Sequence, residues 1–235
     1  MKEAFSERKY LCARAIHSKK KEIRVKRLLV LLISAALFAG CSSSSTEGYT
    51  DLFNGKDLTG WKGTAGMDSY SIKDGVLKLQ SSGGGQHLLY TAKKFKDFEL
   101  VVVSKSEPSS NSGVYFHTDG TSRLKAGWLH WGYEAQLNST EKEKRKTGSL
   151  YGIEDIAESP VDETKWFEMK IRVKGKRIQL WVNGKQTADY TEPENPERPK
   201  NRIGRLLNPN GGFIALQAHD TKSVWYFKEV KVKEL

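Results

Sequence analysis

The sequence predicts an all-β protein, an antiparallel sandwich of jelly-roll type, behind an N-terminal export leader. Three observations carry the fold. From Thr50 onward no long stretch has the 3.6-residue periodicity of an amphipathic helix; apolar and polar residues alternate in short runs instead. Gly, Asn and Pro punctuate those runs, with 21 Gly and 6 Pro in the chain, leaving no room for crossover helices. The 9 Phe, 9 Tyr and 6 Trp among 235 residues give enough aromatic bulk for a two-layer core and exclude a disordered chain.

The strands are legible in order. Val76–Gln80, Phe98–Ser104, Gly113–His117 and Tyr133–Leu137 come first. Trp166–Val173 alternates cleanly, with Phe167, Met169, Ile171 and Val173 on one face. Arg177–Val182 follows across Lys174-Gly175-Lys176, and Asn183-Gly184 after it is a type I′ turn signal. Phe213–His219 and Val224–Val232 complete the set. Pro193, Pro196 and Pro199 mark a polar loop from about Glu192 to Asn210.

The formal net charge is +11, from 39 Lys+Arg against 28 Asp+Glu. Most of it is N-terminal: residues 1–41 hold ten Lys/Arg and three Asp/Glu, a net of +7, leaving +4 for the rest. A nucleic-acid partner therefore loses its main support. Within the leader, Lys19–Lys21, Arg24, Lys26 and Arg27 precede an apolar run from Leu28 to Ala39, too short to span a bilayer comfortably. Leu37-Phe38-Ala39-Gly40-Cys41 resembles the lipobox of bacterial lipoproteins, with Phe38 in place of the usual Leu. The expected organisation is a signal peptide over 1–41, a Ser-rich tether over 42–49 and a β-sandwich over 50–235. Cys41, acylated, would anchor an exported protein to the membrane, periplasmic or at the cell surface. Cys12 falls before the cleavage point, so no disulfide is available to the domain.

Side chains of a strand alternate faces, so parity shows which polar groups share a side. Val114 and Phe116 point to the core, leaving Asn111, Tyr115 and His117 on the other face. Tyr133, Ala135 and Leu137 pair, leaving Glu134 and Gln136. Ile214, Leu216 and Ala218 pair, leaving Gln217 and His219. Three neighbouring strands would thus build a polar, titratable shelf, with Trp128, Trp131 and Tyr151 as aromatic walls. Carboxamides and carboxylates bridge adjacent hydroxyls and rings stack on C–H faces, so the shelf suits a sugar. Gly83-Gly84-Gly85 reads as a turn, Glu141–Lys146 as a solvated loop, and His87 and His130 as packing or surface histidines.

Six segments resemble a known family in order. They are Leu52–Leu58 with Gly60-Trp61, Asn111–Val114, Gly132–Gln136, Thr147–Gly152, Trp181–Gly184 and Ile214–His219. Together they resemble the 3-keto-disaccharide hydrolases, formerly a domain of unknown function. The resemblance covers about residues 50 to 235. It implies a concanavalin-A-like (laminin-G-like) sandwich that cleaves glycosides already oxidised at C3, in a glycan-scavenging bacterium. Two departures bear on substrate choice: His117 stands where the family usually has Arg, and Asn138 where it usually has Asp.

A C3 ketone acidifies the C2 proton, so a base can remove it and expel the C1 leaving group; water then adds to the enone. One base, one acid and donors for the enolate oxygen suffice. Glu134 and His219 are the expected acid and base, in either order. Asn111, Gln136, Gln217 and His117 are expected to hold sugar or enolate oxygens, and Tyr115 and Tyr151 to donate to the leaving oxygen. No cofactor is called for, although His219, His117 and Glu134 are ligand types that suit a metal. Two alternatives stand beside this reading. One is a non-catalytic carbohydrate-binding lipoprotein. The other is a conventional endo-glycosidase pairing Glu134 with Asp119, Glu154 or Asp155.

Overall fold

Alternation fixes the inside of each strand, and fifteen strands follow from it in a computed structural model that describes residues 48–123 and 127–235. In chain order they are β1 (Thr50–Asp51), β2 (Trp61–Gly63), β3 (Tyr70–Lys73), β4 (Val76–Leu79), β5 (Gln86–Phe95), β6 (Phe98–Ser106), β7 (Asn111–Thr118) and β8 (Ser122–Arg123). After them come β9 (Trp128–Leu129), β10 (Tyr133–Asn138), β11 (Phe167–Lys174), β12 (Arg177–Val182), β13 (Lys185–Thr191), β14 (Gly212–Ala218) and β15 (Trp225–Glu234). The leader and Cys41 lie outside the described residues. Of the expected tether, Gly48 and Tyr49 lie inside, and the Tyr49 hydroxyl donates to Glu99 at 3.0 Å.

Two antiparallel sheets form the sandwich. The eight-stranded sheet runs β13-β12-β11-β6-β15-β4-β3 with β1 added beside β15, and the five-stranded sheet runs β10-β7-β14-β5-β2. Between them, Phe98, Leu100 and Val102 of β6 and Met169 and Ile171 of β11 meet Val114 and Phe116 of β7 and Ile214 and Leu216 of β14. All are buried. Each such side chain stabilises the fold by about 1.5–3 kcal/mol relative to an exposed position. The inward sets read from β7, β10, β11 and β14 are the ones in the core. Strand β5 had no clean period, because His87, Leu88 and Leu89 are buried in succession: both its faces are covered.

One irregularity breaks the parity argument. Between β7 and β14 the register shifts, Thr118 facing Phe213 while Tyr115 faces Ala215. The extra residue on β7 is a bulge, and His117 carries it with φ +57°. Across the same stretch, a Cβ on Gly132 would lie 2.3 Å from the Phe116 carbonyl oxygen, so the β10 side leaves that space empty.

Candidate functional site

The outer face of the five-stranded sheet is laid out by register. Glu134, Tyr115, Ala215 and Leu89 form one row across β10, β7, β14 and β5; Gln136 faces Gly113, and Gln217 faces His87. Above these rows lies a cavity of about 270 Å³. Its floor comes from the strands: Asn111, Tyr115, Glu134, Gln136 and Gln217. Its walls come from Trp128, Leu129 and His130, from Glu143 and Tyr151, from Asn201, Arg202 and Arg205, and from His219 just past β14.

Two buried charges meet at the floor. Arg205 Nη2 donates to Glu134 Oε2 at 2.7 Å, and its Nη1 donates to the Gly132 carbonyl at 3.3 Å. The guanidinium carbon lies 5.2 Å from the Tyr115 ring centre. Burial opposes the Arg205 charge, but Tyr115 and Glu134 more than offset it and hold the guanidinium protonated. The Tyr115 phenol is pushed well above its ordinary range, first by burial and then by the Glu134 charge. Gly113 makes room for this pair, since a Cβ there would lie 2.6 Å from Glu134 Oε1.

The carboxamides are oriented from within. Gln217 Nε2 donates to the Tyr115 hydroxyl at 3.0 Å and Gln136 Nε2 donates to Asn111 Oδ1 at 3.2 Å. Each amide is thereby turned so that Oε1 is left over, and both Oε1 atoms are buried without a partner among the described residues. Such acceptors call for hydroxyl donors and repel a carbonyl oxygen.

His219 is set by its chain neighbour. Its Nδ1 lies 2.7 Å from Asp220 Oδ2, which leaves Nε2 as the ring nitrogen for the cavity. Asp220 is held in turn by the Lys222 and Ser223 backbone N–H groups, each at 2.8 Å. Burial raises the Asp220 pKa, but the His219 contact and those amides outweigh it and keep the carboxyl ionised. Trp128 covers the imidazole with ring centres 4.9 Å apart. Beneath, His87 packs edge-on to Tyr115 at 4.8 Å. Neither His87 nitrogen meets a well-aligned partner among the described residues, although the Gly127 backbone comes near enough to favour the proton slightly. Burial, helped by the Arg205 charge, lowers its pKa to about 3. On the far wall the Tyr151 hydroxyl donates to Glu143 at 3.1 Å, and the ring lies between Arg202 and Arg145, 4.4 and 4.8 Å from its centre.

Of the residues expected from the sequence, Glu134, His219, Asn111, Tyr115, Gln136, Tyr151 and Gln217 converge here. His117 and Trp131 do not. The bulge turns His117 away from the shelf and against Phe98, ring centres 6.1 Å apart. There the Asn208 N–H donates to its Nδ1 at 3.1 Å, so the Nε2–H donates to the Lys96 carbonyl at 2.9 Å. It is a buried cross-tie, and the set His219, His117 and Glu134 is not assembled. Trp131 is 38% exposed beside the cavity wall and packs on His130. Asp119, Glu154 and Asp155 are likewise engaged elsewhere, with Thr121, the Asp189 backbone and Arg145.

Sequence reasoning missed Arg202, Arg205 and Asn201, all in the Pro-bounded loop, and Glu143, in the loop read as solvated. No local pattern marks such residues, because long loops place them. Asp220 could have been found from the His219-Asp220 dipeptide. Asn138 works from behind: its Nδ2 donates to the Glu143 and Arg145 carbonyls at 2.9 and 2.8 Å, fixing the loop that carries Glu143. Neither departure from the family pattern, His117 or Asn138, lines the cavity.

A two-sheet jelly roll with a cavity of amides, acids, arginines and imidazole on one outer face defines a protein of the lectin and glycosidase type of sandwich. Residues 48–233 match the 3-keto-α-glucoside-1,2-lyase-like domain, and the chain belongs to that family. It is 29% identical to a 3-keto-disaccharide hydrolase of Bacteroides thetaiotaomicron, over 80% of this chain and 79% of the relative. A candidate glycosyl hydrolase from Parabacteroides distasonis superposes with a TM-score of 0.67 at 25% identity, covering 81% of this chain and 95% of that one. The exoplasmic/lumenal domain of VIP36, bound to Ca2+ and Man3GlcNAc, shares the fold at a TM-score of 0.53 and 11% identity, over 80% and 88% of the two chains. The protein is therefore glycoside-hydrolase-like.

Proposed function

We propose that the chain cleaves glycosides oxidised at C3, by removing the C2 proton, eliminating the C1 substituent and hydrating the enone. The observation that carries this is the His219–Asp220 contact opening on the same cavity as the Arg205–Glu134 pair. An ionised Asp220 fixes His219 with Nε2 toward substrate and stabilises the imidazolium that forms, the arrangement a general base needs. Glu134 is engaged by Arg205 across 2.7 Å and serves to hold Arg205 and a sugar hydroxyl. Of the two orders left open by the sequence, His219 as base is favoured.

The steps balance. His219 Nε2 takes the C2 proton, and the C–H electron pair delocalises onto the C3 oxygen. That oxygen faces the arginines, because Gln136 and Gln217 offer acceptors and so hold hydroxyls rather than the ketone. The enolate reforms the ketone as the C1–O bond breaks, and the proton on His219 passes to the departing oxygen. Water adds to C1, its proton goes to His219, and C2 is protonated, giving a 3-keto sugar and the free aglycone. The family's description as a lyase-like domain and the relative's name as a 3-keto-disaccharide hydrolase both support this reading.

A two-carboxylate glycosidase is the second reading, because Glu143 shares the cavity with Glu134. Burial raises the Glu143 pKa, but the Arg145 backbone N–H, the Tyr151 hydroxyl and the Arg145 charge bring it below the usual value. An ionised Glu143 does not supply the protonated acid that this route needs. Offering the protein a 3-keto-disaccharide and its unoxidised parent separates the possibilities. Release of a keto-monosaccharide from the former alone supports elimination; cleavage of the parent supports the glycosidase; binding without turnover leaves a lectin.

A further inference from the structure

We propose that the outer face of the eight-stranded sheet docks on an anionic lipid bilayer. Alternation puts Phe98, Leu100 and Val102 inside on β6, so Lys105 looks out; on β11 the outward residues include Lys170 and Arg172, on β15 Lys228 and Lys231, and on β4 Lys78. Glu99, Glu168 and Glu229 on the same strands, Asp51 opposite Lys231 on β1 and Glu107 just past β6 are fewer; Glu99 and Glu229 pair with Arg172 and Lys231, and Glu107 accepts from the Tyr226 hydroxyl at 3.0 Å. Lys78, Lys105, Lys170 and Lys228, far apart in the chain, are thereby brought onto one face, which the linear sequence did not show.

Aromatic rings are interleaved with these cations. Lys105 and Lys228 stand over Trp166 at 5.2 and 5.1 Å, Lys105 also over Tyr226 at 5.4 Å, and Lys170 over Trp181 at 4.4 Å. Ammonium groups above half-buried Trp and Tyr match the headgroup layer, where basic groups meet phosphates and amphipathic rings prefer the interface.

Where the chain enters the domain selects a membrane over another polyanion. Tyr49 lies on this face, its ring 5.9 Å from the Lys231 ammonium and its hydroxyl on Glu99, and Gly48 abuts the Lys233 side chain. Cys41 is seven residues before Gly48, at most about 25 Å of extended chain. An acyl chain on Cys41, as the sequence predicts, would hold this face against the leaflet. The cavity, on the other sheet, would then open away from the bilayer.

The test is amine labelling of the full chain, read residue by residue by mass spectrometry. It is carried on phosphatidylcholine vesicles with and without about 30% phosphatidylglycerol, an anionic lipid that draws basic surfaces. Lys105, Lys170 and Lys228 should label at least about fivefold more slowly on the anionic vesicles, and the protection should vanish near 0.5 M salt, where the Debye length falls to a few ångströms. Lys62 and Lys94, exposed on β2 and β5, are the internal controls and should not change. Equal labelling on both vesicles, equal protection of the controls, or protection by dextran sulfate but not by the anionic vesicles would each overturn the proposal. A Lys105→Gln, Lys170→Gln, Lys228→Gln variant should lose the orientation, seen as restored Trp166 and Trp181 quenching by a soluble quencher on anionic vesicles, while keeping its cleavage rate. Unchanged quenching would count against the face.

Discussion

Arg205, on a Pro-bounded loop, donates to Glu134, on strand β10, across 2.7 Å in a site where both are buried. The contact ties the loop to the sheet and fixes how much negative charge the cavity floor carries. Removing one partner strands the other charge. Arg205→Met should therefore cost about 3–5 kcal/mol of stability, seen in urea unfolding. Glu134→Gln keeps a hydrogen-bond acceptor and should cost less stability, yet raise the KM for a 3-keto-disaccharide by about 10-fold, as Arg205 loses its charged anchor. An unchanged KM would remove Glu134 from the substrate-holding groups.

His219→Ala should reduce turnover by at least about 100-fold, because the proposed C2 base disappears. Asp220→Asn keeps the shape but loses the anion that orients the ring. It should lower kcat by at least about 10-fold with little change in KM. If KM alone moved, the pair would serve binding rather than proton transfer.

Gly113→Ala places a methyl group 2.6 Å from Glu134 Oε1. Its backbone is ordinary strand, so the cost comes from overpacking, about 1–3 kcal/mol. Activity should fall with it as the carboxylate shifts. A variant with wild-type activity and melting temperature would show that the carboxylate has slack.

His87 gives a pH dependence whose sign can be worked out. Its folded pKa is depressed from 6.5 to about 3, so between those values the unfolded chain binds a proton that the folded chain refuses. Stability is fully present above pH 6.5 and falls as the pH drops toward 3. At about 1.4 kcal/mol per pH unit, the loss from pH 6.5 to pH 5 is about 2 kcal/mol. Denaturant titrations of wild type and His87→Gln should differ in slope over that interval; identical slopes would refute the burial account.

His117→Ala should weaken the fold by about 1–3 kcal/mol, as the Lys96 carbonyl and Asn208 N–H lose their buried partner. It should leave kcat nearly unchanged, since the ring does not line the cavity. A large loss of kcat without a loss of stability would return His117 to the site.

The sequence by itself determined the strand class, the inward sets of β7, β10, β11 and β14, and the shelf of Asn111, Tyr115, Glu134, Gln136 and Gln217. It could, because a strand's faces follow from a period of two, set by neighbours one and two residues away. Tertiary structure decided the rest. A single bulge at His117 reversed that side chain, since an added residue shifts every later face and depends on the partner strand. Arg205, Arg202 and Glu143 reached the cavity from loops whose paths are set by packing rather than by local period. Lys78, Lys105, Lys170 and Lys228 looked dispersed along the chain, and came to share one face only because β4, β15, β6 and β11 are laid side by side.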